Sequence, residues 1–263
     1  MRVIPDVGDF ASFVHENEFY SVLVTGAGSG IGRATAERLG AHGLRVACVD
    51  RDSESAELVA ASIKTSGGIS LGCTADVTDP DAVRAALKKA TAEFGGIHAL
   101  VNCAGVSGPT TGLSHEVKLD DFDQVLSINL RGALIVSQAI IPQMLAQGYG
   151  RLLHVASIAG KEGNARMAPY STSKAGLIGL VKVMGKEYAQ TGVTVNALAP
   201  AVIQTPLVDG LPEESVRYMT DKIPMQRCGT LDEVSSMIEW IISPSCSFTT
   251  GFTFDLSGGR ATY

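Results

Sequence analysis

Between residues 25 and 32 the chain reads Thr25-Gly26-Ala27-Gly28-Ser29-Gly30-Ile31-Gly32, and what flanks this cluster constrains the fold most. Before it, Ser21–Thr25 is a short apolar run suited to a buried strand. After it, Ile31–His42 spaces its apolar residues as a helix does. Strand, glycine turn and helix in that order open a βαβ unit. Glycines there let the backbone turn tightly and approach a pyrophosphate at the helix N-terminus. The plainer alternative is an ordinary glycine turn. The key positions are Gly26, Gly30 and Gly32, a spacing that differs from GxGxxG.

The alternation continues to the end of the chain. Arg45–Asp50, Ser70–Ala75, Ala99–Asn102, Gly150–Ala156, Val193–Ala199 and Phe252–Asp255 read as strands. Between them Ser53–Thr65, Pro80–Phe94, Asp120–Gln147, Tyr170–Gln190 and Leu231–Ile242 read as helices. Asp79 is a fitting N-cap before Pro80, and Thr230 with Glu233 spells a capping box. Pro142 is expected to bend the third of these helices near its end. The pattern predicts an α/β fold: one domain with a Rossmann-like, doubly wound parallel sheet and helices on both faces. Residues 1–20 read as an N-terminal extension. The domain then spans 21–263 and includes an irregular, proline-bearing substrate loop at 201–224.

Several partner classes are disfavoured. A net charge of -6 with no Lys/Arg block gives no electrostatic reason to expect nucleic acid. Met1 to Tyr20 carries Asp6, Asp9, Glu16 and Glu18 and lacks a signal-peptide pattern, and no long uninterrupted apolar run predicts a membrane span. Cys48, Cys73, Cys103, Cys228 and Cys246 are scattered without metal-ligand spacing, so no metal is expected. Reduced thiols fit a cytoplasmic protein.

Asp50 ends the second strand, 18 residues past Gly32. An acidic side chain there accepts hydrogen bonds from ribose hydroxyls and repels a 2′-phosphate, which favours NAD. Arg51 pulls the other way, since a guanidinium could pair with that phosphate. Further on, Ser157 follows an apolar strand, and Pro169-Tyr170-Ser171-Thr172-Ser173-Lys174 follows in turn. Residues i and i+4 share a helix face, so Lys174 can lower the proton affinity of the Tyr170 phenol and make it a general acid/base.

On these residues the chain resembles the short-chain dehydrogenase/reductase family, from Val22 to Gly259. The specific signals are the TGxxxGxG loop, Asp76-Val77, Asn102-Cys103-Ala104-Gly105, Asn129, Ser157 and YxxxK, with Ser157 and Tyr170 thirteen residues apart. The resemblance implies a catalytic set of Asn129, Ser157, Tyr170 and Lys174. Ser157 would orient the substrate oxygen, and Asn129 would anchor a water linking Lys174 to solvent. Lys174 would hold the nicotinamide ribose and, with the ring's charge, depress Tyr170.

The implied cofactor contacts are Gly26, Ser29, Gly30, Ile31 and Gly32 at the pyrophosphate and Asp50 and Arg51 at the adenosine ribose. Asp76 and Val77 would meet the adenine. Asn102, Ala104 and Gly105, together with Tyr170, Lys174, Pro200, Val202 and Thr205, would flank the nicotinamide half. Cys103 and Ala201 depart from the family pattern, which commonly has asparagine and glycine there. A homotetramer is also implied.

The substrate is expected to be a small polar molecule. The stretch before Tyr170 carries Lys161, Glu162, Asn164 and Arg166, a polar wall unlike a steroid or acyl-chain lining. Arg260, on the Gly258-Gly259 tether, is expected to reach a neighbouring subunit's site and pair with a substrate carboxylate. Ser157, Asn164, Arg166, Tyr170 and Arg260 thus form the candidate substrate set. GKEGN after Ser157 and the SGGRATY tail resemble a subgroup acting on sugars and 2-keto-3-deoxy sugar acids. Two alternatives stand beside an NAD-dependent dehydrogenase: an NADPH-dependent 3-oxoacyl-type ketoreductase, and a nucleotide-binding regulator without catalysis.

Overall fold

The computed structural model describes residues 20–110, 112–210 and 212–261. The expected extension before Tyr20, and Thr262 and Tyr263 of the tail, lie outside them. Seven strands form one sheet: β1 (Ser21–Thr25), β2 (Arg45–Asp50), β3 (Ile69–Thr74), β4 (Ala99–Asn102), β5 (Gly150–Val155), β6 (Val193–Pro200) and β7 (Thr253–Leu256). Their order is β3-β2-β1-β4-β5-β6-β7, and every pairing is parallel. The strand order reverses between β1 and β4. In open α/β sheets such a point opens a crevice outside the carboxyl ends of the strands.

Helices cover both faces, as the apolar strands require. One layer holds α1 (Gly30–Ala41), α2 (Ser53–Thr65) and α10 (Leu231–Ile242). It packs Leu39, Val59, Ile63, Val234 and Ile238 against Val22, Val24, Val46 and Leu153. The other holds α3 (Pro80–Phe94), α5 (Gly132–Gln147) and α7 (Ala168–Glu187). Its core joins Phe94, Ile140, Met144, Leu177 and Val181 to Leu23, Leu100 and Leu152. Asp79 caps α3 by accepting from the Asp81 and Ala82 amides, and Thr230 with Glu233 makes the expected capping box on α10.

Three segments differ from expectation. The helical run after Leu119 is not continuous: α4 (Leu119–Leu126) passes through a π turn at Ser127–Arg131 before α5. Pro142 sits inside α5, and the irregularity lies at Asn129 instead. Residues 201–224 hold two short helices, α8 (Pro206–Asp209) and α9 (Glu213–Thr220), and a one-turn α6 (Ala159–Glu162) follows Ser157. The stretch Leu119–Gln147 is long and apolar enough to cross a membrane by length and composition. Its Ala133, Val136, Ile140 and Met144 are buried in the core with residues of the sheet, as in a core helix.

Candidate active site

A crevice of about 800 Å³ lies over the carboxyl ends of the strands. Gly26, Ser29, Gly30, Ile31, Gly32, Asp50, Arg51, Asp76, Val77, Ala104, Gly105, Pro200 and Thr205 line it, with Ser157, Tyr170 and Lys174. The strand ends therefore bring most of the expected residues together. Asn102, Val202 and Asn129 lie off the wall, as do Asn164, Arg166 and Arg260. The Asn102 side chain is buried within the sheet, and the Val202 carbonyl accepts from the Gly229 amide at 2.9 Å.

The glycine loop is shaped for close backbone approach. A Cβ on Gly32 would stand 2.0 Å from the Gly26 carbonyl oxygen, so any side chain there would drive the turn and the start of α1 apart. Gly26 has φ of +64° and packs against the backbone of Ala104. Tight turn, bare backbone and helix N-terminus fit a dinucleotide pyrophosphate. Asp50 Oδ2 accepts from the Gly28 amide at 2.9 Å and Oδ1 from the Asp52 amide at 3.1 Å, so the carboxylate is fixed at the loop's edge with lone pairs to spare. Asp76 Oδ1 is held by the Thr78 amide and hydroxyl at 2.8 and 2.7 Å, and these bonds lower its pKa.

At the other end, Lys174 rises from α7, is 5 % exposed, and donates to the Val155 carbonyl at 2.7 Å. Burial pulls its pKa from 10.5 down to about 8. Its Nζ lies 5.8 Å from the centroid of the Tyr170 ring. The Tyr170 phenol is itself raised by burial, a shift opposed by a hydrogen bond with the Ser157 hydroxyl. The expected depression of Tyr170 by Lys174 is therefore not a property of the chain alone. Burial of the phenol is the largest influence on it, and the ammonium, 5.8 Å from the ring centroid, points its hydrogen bond at the Val155 carbonyl. Ser157 Oγ also accepts from the Ala159 amide at 3.1 Å, which sets the hydroxyl at the head of α6.

Asn129 lies in the π turn. Its Oδ1 accepts from the Val106 amide at 2.8 Å, while Nδ2 donates to the Val106 carbonyl at 2.8 Å and to Ser173 Oγ at 3.0 Å. Both amide hydrogens are spent and one Oδ1 lone pair is left for a water. A Cβ on Gly105 would meet Asn129 Oδ1 at 3.1 Å and Lys174 Nζ at 3.5 Å, so the two groups share the space beside that glycine. Cys103, two residues before Gly105, is half-buried on the crevice wall with its thiol pushed up to about 12 by desolvation, a packing group and not a nucleophile.

Of the substrate candidates, Ser157 and Tyr170 stand on the crevice wall, whereas Asn164 and Arg260 meet in a cluster of their own. Arg260 donates through Nε to Glu162 at 2.9 Å and through a terminal nitrogen to Asn164 Oδ1 at 2.9 Å. Its guanidinium is thus engaged in its own chain, in contrast to the expected reach into a neighbouring subunit: the glycine tether folds back on the loop before α7. The Asn164 amide in turn donates to Ser171 Oγ at 3.1 Å, next to Tyr170. Arg166 is exposed at φ of +66°, a strained conformation for a side-chain-bearing residue. Tyr218 and Lys222 were not among the expected residues. Lys222 donates to the Tyr218 hydroxyl at 2.9 Å, and that bond, with the charges of Lys222, Arg166 and Arg260, lowers the phenol's pKa. Only their place in the loop 201–224 hinted at them.

Comparison with known proteins agrees with this geometry. The profile of the short chain dehydrogenase family matches residues 20–215. A 2-dehydro-3-deoxy-L-rhamnonate dehydrogenase (NAD(+)) of Sphingomonas sp. strain SKA58 is 43% identical over 92% of this chain and 95% of its own length. A 3-oxoacyl-[acyl-carrier-protein] reductase of Synechocystis is 38% identical over 92% of this chain and 96% of its own. The crystal structure of levodione reductase superposes with a TM-score of 0.87 at 31% identity, covering 92% of this chain and 97% of that one. An actinorhodin polyketide ketoreductase variant with NADPH gives 0.88 at 32% identity, covering 94% and 99%. Sheet order, glycine loop, Ser157, Tyr170 and Lys174 and these likenesses point the same way: the chain belongs to the short-chain dehydrogenase/reductase family of oxidoreductases.

Proposed function

We propose that the chain is an NAD-dependent dehydrogenase that interconverts a secondary alcohol and a ketone on a small polar, sugar-acid-like substrate. The observation that carries the cofactor half is the Asp50 carboxylate, fixed at the edge of the glycine loop by two amides. There it meets ribose hydroxyls well and a 2′-phosphate badly. The substrate half draws on the polar cluster of Glu162, Asn164, Arg166 and Arg260 before Tyr170. It draws too on the 43% likeness to a dehydrogenase named for a deoxy sugar acid.

Bound nicotinamide supplies the hydride acceptor. The remaining work belongs to the chain. Ser157 Oγ donates to the substrate oxygen and fixes its distance from Tyr170. Tyr170 Oη takes the hydroxyl proton during oxidation and returns it during reduction. Lys174 keeps a positive charge beside the phenol at neutral pH, and a water on the free lone pair of Asn129 Oδ1 would pass the proton onward to solvent. Gly105, without a side chain, leaves that path open.

A second reading, an NADPH-dependent 3-oxoacyl-type ketoreductase, is favoured by the 38% likeness to such a reductase and by the neighbour with NADPH. Arg51 on the crevice wall would then meet the phosphate. Titration with NADH and NADPH separates the two, and tighter NADPH binding would overturn the first. A screen of sugars, aldonic acids and keto-deoxy acids with NAD, beside a 3-oxoacyl thioester with NADPH, tests the substrate. On the substrate found, Tyr170→Phe should lose about 10²–10⁴-fold in kcat with cofactor binding kept. Full activity in that variant would remove Tyr170 from its role.

A cytoplasmic homotetramer completes the proposal. Support for the assembly is the exposed pair of Trp240 on α10 and Phe252 just before β7, both set edge-on to Phe254 of β7. Light scattering on the purified protein would test the assembly.

A further inference from the structure

Beneath the crevice runs a buried polar row that the catalytic groups do not use. Thr25, Asn102 and His154 are register partners on β1, β4 and β5, and each is at most 3 % exposed. Polar side chains in the centre of a parallel sheet are costly unless bonded. These three are bonded in series. The Ala104 amide donates to Thr25 Oγ1 at 3.3 Å, and Thr25 Oγ1 donates to Asn102 Oδ1 at 2.5 Å. Asn102 Nδ2 lies 3.2 Å from His154 Nδ1, and His154 Nε2 lies 3.2 Å from Ser137 Oγ. Ser137 finally donates to the Ala133 carbonyl at 2.7 Å on α5.

Only one set of proton positions satisfies the whole row. Thr25 has its hydrogen on Asn102 Oδ1, so the Asn102 amide must donate to His154. Nδ1 is then the acceptor and Nε2 carries the proton, which goes to Ser137. With the opposite tautomer, Ser137 would have to donate to the ring and Ala133 would lose its bond. Asn102 would have to turn its amide toward Thr25, leaving the threonine hydrogen without an acceptor.

The two ends of the row close on one place. Ala104 leads directly to Gly105 and Val106, and Val106 is bonded through both backbone groups to Asn129. Ala133 lies four residues after Asn129, on the far side of the π turn. Asn129, the crevice segment 104–106 and the start of α5 are thereby tied into a ring of bonds. His154 is its one ionisable link. Its chain neighbour Val155 offers the carbonyl that holds Lys174.

We propose that His154 is a positioning residue: as the neutral Nε2–H tautomer it fixes the 104–106 segment and the foot of α5 against each other. Cofactor and proton path therefore meet a preset crevice. The inference rests on the nicotinamide reading above, and the test separates the two. Wild-type protein that bound no NADH would defeat that reading. Variants are compared only once wild-type binding is measured.

His154→Leu keeps bulk but offers neither acceptor nor donor. His154→Gln can place an oxygen toward Asn102 and an amide toward Ser137. At a temperature well below unfolding, His154→Leu should weaken NADH binding, read by fluorescence, and lower kcat, each by about tenfold. His154→Gln should recover most of both. A role confined to stability would lower the unfolding temperature of His154→Leu and leave Kd and kcat unmoved, which would overturn the proposal. Gln performing no better than Leu would overturn it too.

Should His154→Leu fail to fold, Ser137→Ala and the ring's own nitrogen signals decide. Ser137→Ala removes only the acceptor for Nε2–H, and an unchanged NADH Kd there counts against the idea. In ¹⁵N-histidine spectra, assigned by loss of signal in His154→Gln, the ring must show the Nε2–H tautomer at neutral pH. An Nδ1–H ring would refute the row.

Discussion

The Lys174 ammonium donates to the carbonyl of Val155, two residues before Ser157, so the cation beside the Tyr170 ring is anchored to the same strand end that leads to Ser157. Burial of that charge has a measurable cost. Folded Lys174 titrates near 8 and its unfolded counterpart near 10.5, so between these values the unfolded chain binds more protons. Stability should therefore rise with pH across that window from this group, the penalty being fully present below 8. Two to three pKa units correspond to roughly 3 kcal/mol. Chemical denaturation of wild type and Lys174→Met from pH 7 upward should show a stability difference that changes with pH in this sense. A constant difference would contradict the buried ammonium.

His154 gives an acid counterpart. Burial and the Lys174 charge lower it from 6.5 to about 4, so the folded ring is neutral where the unfolded one is protonated. Stability is lost as pH falls from 6.5 toward 4, and the group contributes nothing above 6.5. The gap in unfolding temperature between wild type and His154→Gln should shift in favour of the variant as the pH falls through that range. Parallel curves would show that His154 keeps an ordinary pKa.

Asp50 should control cofactor choice. Asp50→Ser removes a charged acceptor from the ribose end, and a hydrogen bond to a charged group is worth about 1.5–3 kcal/mol. NAD affinity should fall by about 10–100-fold while NADPH binding improves. Because Asp50 also accepts from the Gly28 amide, part of the NAD loss will come from a looser loop. Unchanged preference in that variant would shift the selection to Arg51.

Arg260 separates a positioning role from a binding one. Its guanidinium is already held by Glu162 and Asn164, and Asn164 is tied to Ser171 beside Tyr170. Arg260→Ala should therefore slow acidic and neutral substrates by similar factors. A loss confined to acids, read as kcat/KM on matched pairs, would instead favour a contact with the substrate carboxylate.

Much of the frame was legible in the sequence because each signal was local. β1, β2, β4 and the helices after Asp52, Asp79 and Thr230 match the expected spans, where caps and apolar runs coincide. The crevice residues followed from motifs whose chemistry depends on strand ends. The π turn was hidden because its residues, Ser127–Arg131, continue a helical pattern on both sides. What distinguishes it is a tertiary bond from Asn129 to Val106, 23 residues away. Arg260 folding back on Glu162 and the Tyr218–Lys222 pair are likewise contacts between distant or irregular segments. His154 read as an ordinary strand residue, since the partners that define it lie on β4 and α5.

The π turn also acts as a phase shifter. Its Ser127 carbonyl accepts from Gly132, five residues on, so one residue more than an α turn is wound into the helix. One residue is about 100° of rotation. Wound as an unbroken α-helix of the same length, the segment would swing Val125 and the rest of α4 about a quarter-turn off their buried side. The turn thus takes up one residue of offset between two buried helix faces, and straightening it at constant length would trade a local irregularity for a mismatch along a whole helix.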